Sequence, residues 1–288
     1  MRPLRFGFKT SQQHTTYEEI VKVWEAADKI PVFEHGWLFD HFNPIGQDSV
    51  EGPCLEGWTV LSALAARTER VRLGLMTTGN TYRHPAIHAH IAATADIVSG
   101  GRVDFGMGAG WNVYEHESMG LPLYQPGERI RRLGEAAELT KLLWTRAVVD
   151  YEGRYYQLKQ ARLDPKPVQQ PHPPIVIGGG GEQLTLRVVA RHADIWNFGG
   201  GEVETFTHKV AILREHCAAV GRDPDEIELS AQIRVKFDDL DGSAREVQAL
   251  ANAGVSHLIL ILPPPYRPDQ VTRLAEELIP RIEAPATS

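Results

Sequence analysis

A chain of 288 residues, 42% of them hydrophobic, can bury a large core, and α/β barrels of this length are commonly a single domain. Its 30 Lys and Arg against 37 Asp and Glu give a formal charge of −7 with no massed basic patch, so the electrostatic footprint of a nucleic-acid or anionic-membrane binder is absent. The two cysteines, Cys54 and Cys217, have no metal or redox spacing, no apolar run approaches a membrane span, and the start MRPLRFGFK has no signal-peptide core; a cytoplasmic protein with a small-molecule partner is expected.

In chain order, LRFGFKT (4–10) reads as a first strand. Thr16, with Glu19 three residues on, forms a capping box before a helical spacing of Ile20, Val23, Trp24 and Ala27. VFEHGWLFD (32–40) reads as the second strand and WTVLSALAART (58–68) as a helix. VRLGLMT (71–77) is the third strand, with PAIHAHIAATADIV (85–98) its helix. RVDFGMG (102–108) is the fourth, and ERIRRLGEAAELTKLLW (128–144) a long amphipathic helix. VVDYEGRYYQL (148–158) reads as a hairpin turning at Glu152-Gly153, an excursion from the alternating series. PIVIG (174–178), DIWNFG (194–199), EIELSAQIRV (226–235) and HLILIL (257–262) are strands five to eight, each trailed by a helical segment. Eight strands alternating with helices predict a (β/α)₈ TIM barrel with a small hairpin insertion between strands four and five, as one domain over 1–288. A doubly wound open sheet is the runner-up, because strand order is invisible in a linear sequence.

In such a barrel the loops after the strands gather on one face, so the residues following each apolar run are the candidates for chemistry. Gln12, Gln13 and His14 follow strand one, Asp40 and His41 strand two, and Gly108, Gly110, Trp111 and Asn112 strand four. Four glycines, Gly178 to Gly181, stand between strand five and a helical segment. Together they cost roughly 2–4 kcal/mol relative to alanines. A turn free of Cβ atoms can bring backbone N–H groups around a phosphate at a helix start; a merely tight turn is the alternative. His41 beside Asp40 is the strongest catalytic candidate, since an imidazole titrates near neutrality; a capping Asp before a solvent-facing His is the plainer reading. His84, His88 and His90 include a helical i, i+4 pair but lack the Glu of HExxH and a third ligand, so no metal is expected. Glu115, His116 and Glu117 read as the polar start of a loop, with acid/base work the alternative. His14, Trp111 and Trp196 are the candidates for a substrate pocket, although barrel filling is the commoner fate of buried aromatics.

These pieces, in this order, resemble the luciferase-like monooxygenase superfamily, and more closely its deazaflavin branch, the coenzyme F420-dependent oxidoreductases. The likeness is carried by FDHF (39–42), GLMTTGNTYRHPA (74–86), GRVDFGMGAGWN (101–112), PPIVIGGGGEQLTLRVVARHADIWN (173–197) and AGVSHLIL (253–260). It implies a barrel with an insertion and a tricyclic ring across the barrel mouth. Asp40 would contact the cofactor and His41 would give or take a proton. A non-prolyl cis bond at about Met76-Thr77 would form a bulge backing the ring. Gly108, Gly110 and Asn112 would lie near the cofactor side chain, with Gly178, Gly179, Gly180 and Gly181 as its phosphate loop. The implied activity is hydride transfer between F420 and an electrophilic C=C, C=N or C=O. Lys9, Arg67, Arg83, Arg154 and Arg162 are candidates for the cofactor's anionic tail, and a homodimer is expected. An FMN-dependent monooxygenase fed by a separate reductase, and a non-catalytic flavin- or phosphate-binding barrel, are the competing readings. One departure matters: some sugar-phosphate dehydrogenases of the family carry a Glu where this chain has Trp111, which puts a sugar alcohol substrate and its acid/base pairing in doubt.

Overall fold

Helix signals in the sequence act where they stand. In the computed structural model, which describes residues 2–46 and 49–284, strand β1 (Arg5–Lys9) leads to helix α1 (Tyr17–Asp28), whose first turn is closed by the Thr16–Glu19 capping box. Strand β2 (Phe33–Leu38) is followed by α2 (Gly57–Arg67), with the Glu56 carboxylate accepting from the amides of Trp58 and Thr59. Strands β3 (Arg72–Leu75) and β4 (Thr78–Gly79) flank the Met76-Thr77 peptide, which is cis, as the resemblance implied. Helix α3 (Pro85–Ser99) begins on a proline and stops at Gly100, whose φ of 69° is the left-handed conformation that glycine adopts without a Cβ clash. Strand β5 (Val103–Gly108), a short helix α4 (Val113–Ser118) and the long α5 (Pro126–Thr145) follow, then the hairpin β6 (Val149–Glu152) and β7 (Gln157–Ala161). The chain closes with β8 (Ile175–Gly178), α6 (Thr185–His192), β9 (Ile195–Phe198), α7 (Val203–Val220), β10 (Glu228–Arg234), α8 (Leu240–Asn252), β11 (His257–Ile261) and α9 (Pro268–Arg273).

The strands pair in parallel in the order β1-β2-β3-β5-β8-β9-β10-β11, and β11 pairs back onto β1 with Phe6 opposite Leu258. That last pairing closes the sheet and rules out the open doubly wound alternative. Trp37, Met76, Val176, Ile195 and Ile259 pack together as one buried cluster, while a larger cluster joins strand residues such as Phe8, Leu73 and Phe105 to Trp24, Leu61 and Leu139 of the helices. Strands buried on both faces explain apolar runs such as IVIG in β8 and HLILI in β11, whereas β10 keeps an alternation of apolar with polar residues. The antiparallel β6–β7 hairpin stands outside the barrel sheet, as expected. The 112–118 region differs from its reading as a loop: Asn112 caps α4 through its side chain, which accepts from the Glu115 amide.

Candidate active site

A closed parallel barrel brings the C-terminal strand ends to one face, and there a cavity of about 800 Å³ opens. Its floor is made by strand-end residues Lys9, Met76, Thr77, Asn197 and Gln232. One wall is nearly bare backbone, Gly108, Ala109 and Gly110 after β5 with Gly178, Gly179 and Gly180 after β8. The facing wall is aromatic and apolar, with Phe39, Ile45, Tyr82 and Trp111 around His41. Arg129, Ile130, Thr205 and Lys209, from α5 and α7, border the far end.

His41 is oriented by a residue that the loop reading passed over. Glu115, on α4, is completely buried, and its Oε2 lies 2.8 Å from His41 Nδ1. Oε2 also accepts from the Tyr82 hydroxyl, and Oε1 accepts from the amides of Phe42 at 2.7 Å and Asn43 at 3.0 Å. Burial pushes the Glu115 carboxyl up, but the hydrogen bonds from His41 and Tyr82 and the charge of the imidazole outweigh it and bring it down to about 2. Burial and the neighbouring Glu115 push the Tyr82 phenol well up, so its proton stays in place. An ionised carboxylate can only accept, so Nδ1 of His41 carries the hydrogen and Nε2 is left for the cavity, where the ring forms part of the wall. Carboxylate, imidazole and an open nitrogen in line make a proton-handling dyad.

Asp40 is also buried, but its carboxylate stands behind the cavity and outside the lining residues. Oδ2 accepts from Thr78 Oγ1, from the Gly79 amide at 3.3 Å and from Arg83 Nη1 at 2.8 Å, while Oδ1 has no partner among the described residues. Burial raises its pKa against the pull of Arg83. Arg83 in turn bonds Glu56, so Asp40 ties the loop after β2 to β4 and to the start of α2.

Close packing runs along the whole glycine wall, and a Cβ on Gly181 would come within 2.8 Å of Thr185 Oγ1. Gly179 has a φ of 115°, which L side chains rarely adopt, and a Cβ on Gly178 would come within 2.9 Å of Thr77 Cγ2; both glycines are demanded by the fold itself. Gly180 and Gly181 follow, and a turn over 182–184 separates them from α6. Among the described residues neither the Gly180 nor the Gly181 amide donates to a protein acceptor. Gly181 borders a second, shallower hollow of about 440 Å³ that shares Gly180, Ile130 and Lys209 with the main cavity. Lys209 Nζ bonds Gly180 O at 2.7 Å, and the Nε of Arg129 is buried without a partner. Arg129 Nη1 donates to Tyr124 O at 3.1 Å and Lys209 also meets Glu182 at 3.2 Å; bare amides with these two cations suit a phosphate-bearing tail, and Gly108 and Gly110 extend the bare surface beside them.

The structure therefore brings His41, Met76, Thr77, Gly108, Gly110, Trp111 and Gly178 to Gly180 to one cavity and sets the other candidates apart. Asn112 serves as the cap of α4. His14 is exposed, with its ring packed over Gly52. Trp196 is fully buried, stacks on Phe206 at 5.7 Å and donates to Gly179 O at 2.8 Å, so it props the glycine turn from behind. Of the proposed tail cations only Lys9 lines the cavity; Arg67 pairs with Glu25 and Arg83 with Asp40 and Glu56. Sequence reasoning missed Arg129 and Lys209, which sit on helices and follow no strand. His84 caps α3 and His88 bonds Thr78 and Arg83; among the described residues no cluster of His, Cys, Asp or Glu could hold a metal.

A family model described as luciferase-like monooxygenase matches residues 4–286. The chain is 33% identical over 238 residues to an F420-dependent glucose-6-phosphate dehydrogenase of Microbacterium testaceum, covering 82% of this chain and 69% of that protein. Among solved structures, an F420-dependent secondary alcohol dehydrogenase in complex with an F420–acetone adduct superposes with a TM-score of 0.86 at 20% identity, covering 98% of this chain and all (100%) of that one. The F420-dependent tetrahydromethanopterin reductase of Methanopyrus kandleri superposes with a TM-score of 0.82, also at 20% identity and covering 98% and 100% of the two chains. At that identity the two structures speak for the barrel.

Proposed function

This chain belongs to the luciferase-like monooxygenase family, and we propose that it is an F420-dependent oxidoreductase, transferring a hydride between the deazaflavin and an electrophilic C=C, C=N or C=O of a small organic molecule. The observation that carries this reading is a cavity with two chemically distinct ends. One has bare glycine backbone with Arg129 and Lys209, suited to an anionic tail, and the other has a single oriented imidazole, His41, suited to moving one proton. When bound, the deazaflavin supplies hydride chemistry at a carbon that replaces the reactive nitrogen of a flavin. His41 handles the accompanying proton: in reduction, Nε2–H of the protonated ring gives it to the atom that gains electron density, and in oxidation the neutral Nε2 takes it from a hydroxyl or amine. Glu115 holds the ring in the tautomer both directions need and stabilises its charged form. Phe39, Ile45 and Trp111 give that end an apolar lining.

Mixing the purified protein with F420 and with FMN, and following cofactor fluorescence and reoxidation, tests the assignment. Tight binding of FMN alone would overturn it in favour of a monooxygenase. The His41→Ala variant is expected to lose roughly 10²–10⁴ in kcat while its affinity for F420 stays within a few-fold, because the ring acts on the proton and contributes little to holding the tail. Arg129→Ala and Lys209→Ala should each weaken F420 binding about tenfold, with an effect that shrinks at high salt, as loss of a charge-assisted hydrogen bond requires.

A further inference from the structure

We propose that the molecule handled by His41 is uncharged and carries a flat apolar body joined to its reactive double bond, and that Trp111 is the residue that selects it. This rests on the deazaflavin reading of the same cavity and adds the substrate class.

The surroundings of His41 decide the point. Phe39 and Trp111 stand edge-on to the imidazole, with ring centroids 5.4 and 5.3 Å away, and Ile45 completes that side of the cavity. Trp111 is 59% exposed, a large indole left in water at the rim of a cavity, where contact with an apolar ring would remove that surface from solvent.

Polar recognition at this end is already consumed. The Tyr82 hydroxyl is given to Glu115, Asn112 Oδ1 takes the Glu115 amide, and the Gln13 side chain is occupied by both backbone groups of Ile45. A polyol placed here would leave hydroxyl groups unpaired, which costs far more than a missing apolar contact.

Charge argues the same way. Among the described lining residues there is no carboxylate, and the cations are Lys9, Arg129 and Lys209. Lys209 is bonded at the glycine turn, Arg129 borders that same end, and the Lys9 ammonium is held on the floor by Met76 O and the Gln232 amide oxygen. A phosphate or carboxylate beside His41 would meet the field of the Glu115 anion, whose Oε2 lies 2.8 Å from the far side of the imidazole. The surroundings of His41 are thus aromatic and backed by negative charge, unlike what a charged polyol needs.

In the reductive direction the step balances as hydride to the electrophilic carbon and a proton from His41 to the heteroatom or to the α-carbon of a conjugated alkene; the reduced deazaflavin is the reductant.

The test compares an uncharged ring ketone with its carboxylate derivative, beside a second uncharged ring compound and a charged polyol. Protein loaded with F420 is given acetophenone, 4-acetylbenzoate, cyclohex-2-enone and glucose 6-phosphate, and both binding to the loaded protein by calorimetry and turnover in the appropriate direction are read. Acetophenone or cyclohexenone is expected to bind, and 4-acetylbenzoate to bind at least tenfold more weakly than acetophenone. Trp111→Ala should raise KM or Kd for the uncharged ring compound about tenfold with the F420 Kd unaltered, and Trp111→Phe should restore most of the loss. Preference for glucose 6-phosphate, equal binding of the ketone and its carboxylate, no binding of either uncharged compound at millimolar concentration, or no effect of Trp111→Ala would overturn the proposal while the F420 assignment stood. Failure of F420 itself to bind would instead remove the reading beneath it.

Discussion

Glu115→Gln is expected to lower kcat about a thousandfold with little change in F420 affinity, because it reverses the tautomer of His41 while keeping the side chain's shape. The Gln oxygen can still accept from the amides of Phe42 and Asn43, which places its NH₂ where Oε2 now meets His41 Nδ1 and the Tyr82 hydroxyl. An amide nitrogen donates, so the neutral ring answers with an unprotonated Nδ1 and puts its hydrogen on Nε2, facing the cavity. The ring can then no longer accept a proton there, and its protonated form loses the adjacent anion. Nitrogen NMR of the imidazole separates this from a structural fault: the variant should show the hydrogen on Nε2. Retained turnover with an unchanged tautomer would remove Glu115 from the mechanism. Glu115→Ala goes further, leaving buried donors without an acceptor, and should cost on the order of 3–5 kcal/mol of stability. The pH profile follows from the carboxyl being held at about 2 against an ordinary 4.5. The folded-state pKa is depressed, so this contribution is complete above 4.5 and is lost as the pH falls toward 2; wild type and Glu115→Gln unfolding curves should converge across that acid window.

What the sequence made legible follows from how local each signal is. The capping box at Thr16 and Glu19, the start of α3 at Pro85 and the eight strand runs are written in neighbouring residues and appear where their spacing places them, while α5 begins two residues ahead of the amphipathic run, at Pro126. His41 was legible because the loops after the strands are where a barrel keeps its chemistry. Glu115 was not, since its burial depends on Asn112 starting a short helix that turns its side chain inward under the 41–43 loop, 72 to 74 residues away in sequence. One signal was present: Asn112 followed three residues later by Glu115 is a helix start with an acidic first turn, and reading 113–118 as a helix would have set Glu115 and His116 on its buried side. Arg129 and Lys209 were hidden differently, because a long helix carries many cations and only the folded arrangement decides which reach over the cavity. The four glycines do not act as a single device: Gly179 answers to its backbone conformation, and a Cβ on Gly178, Gly180 or Gly181 would crowd Thr77, Lys209 or Thr185.

Lys9 should make the stability of the protein rise with pH between about 8 and 10.5, and Lys9→Met should remove that rise. The residue is half-buried, its ammonium on the cavity floor with Met76 O at 3.2 Å and Gln232 Oε1 at 2.7 Å as neutral partners, and no carboxylate pairs with it among the described residues. Burial, helped by the like charge of Arg234, lowers its pKa from 10.5 to about 8. A base whose folded-state pKa is depressed binds fewer protons folded than unfolded between those two values, so stability increases with pH there and the full cost of the buried charge applies below 8. That cost is on the order of 3 kcal/mol at neutral pH. Subtracting the denaturation free energies of Lys9→Met from those of the wild type at each pH isolates the group from the other lysines and tyrosines; a flat difference would show that Lys9 keeps its ordinary pKa. The same depressed pKa links the floor to whatever occupies the cavity. An anion settling over Lys9 restores the missing counter-charge and raises its pKa, so binding should take up protons above about pH 8 and weaken as the pH climbs toward 10.5. Calorimetry of F420 binding in buffers of different ionisation heat reads that uptake directly. Proton uptake in the wild type that disappears in Lys9→Met would locate negative charge above the floor, and equal heats in every buffer would place the anionic parts of the ligand at the glycine turn alone.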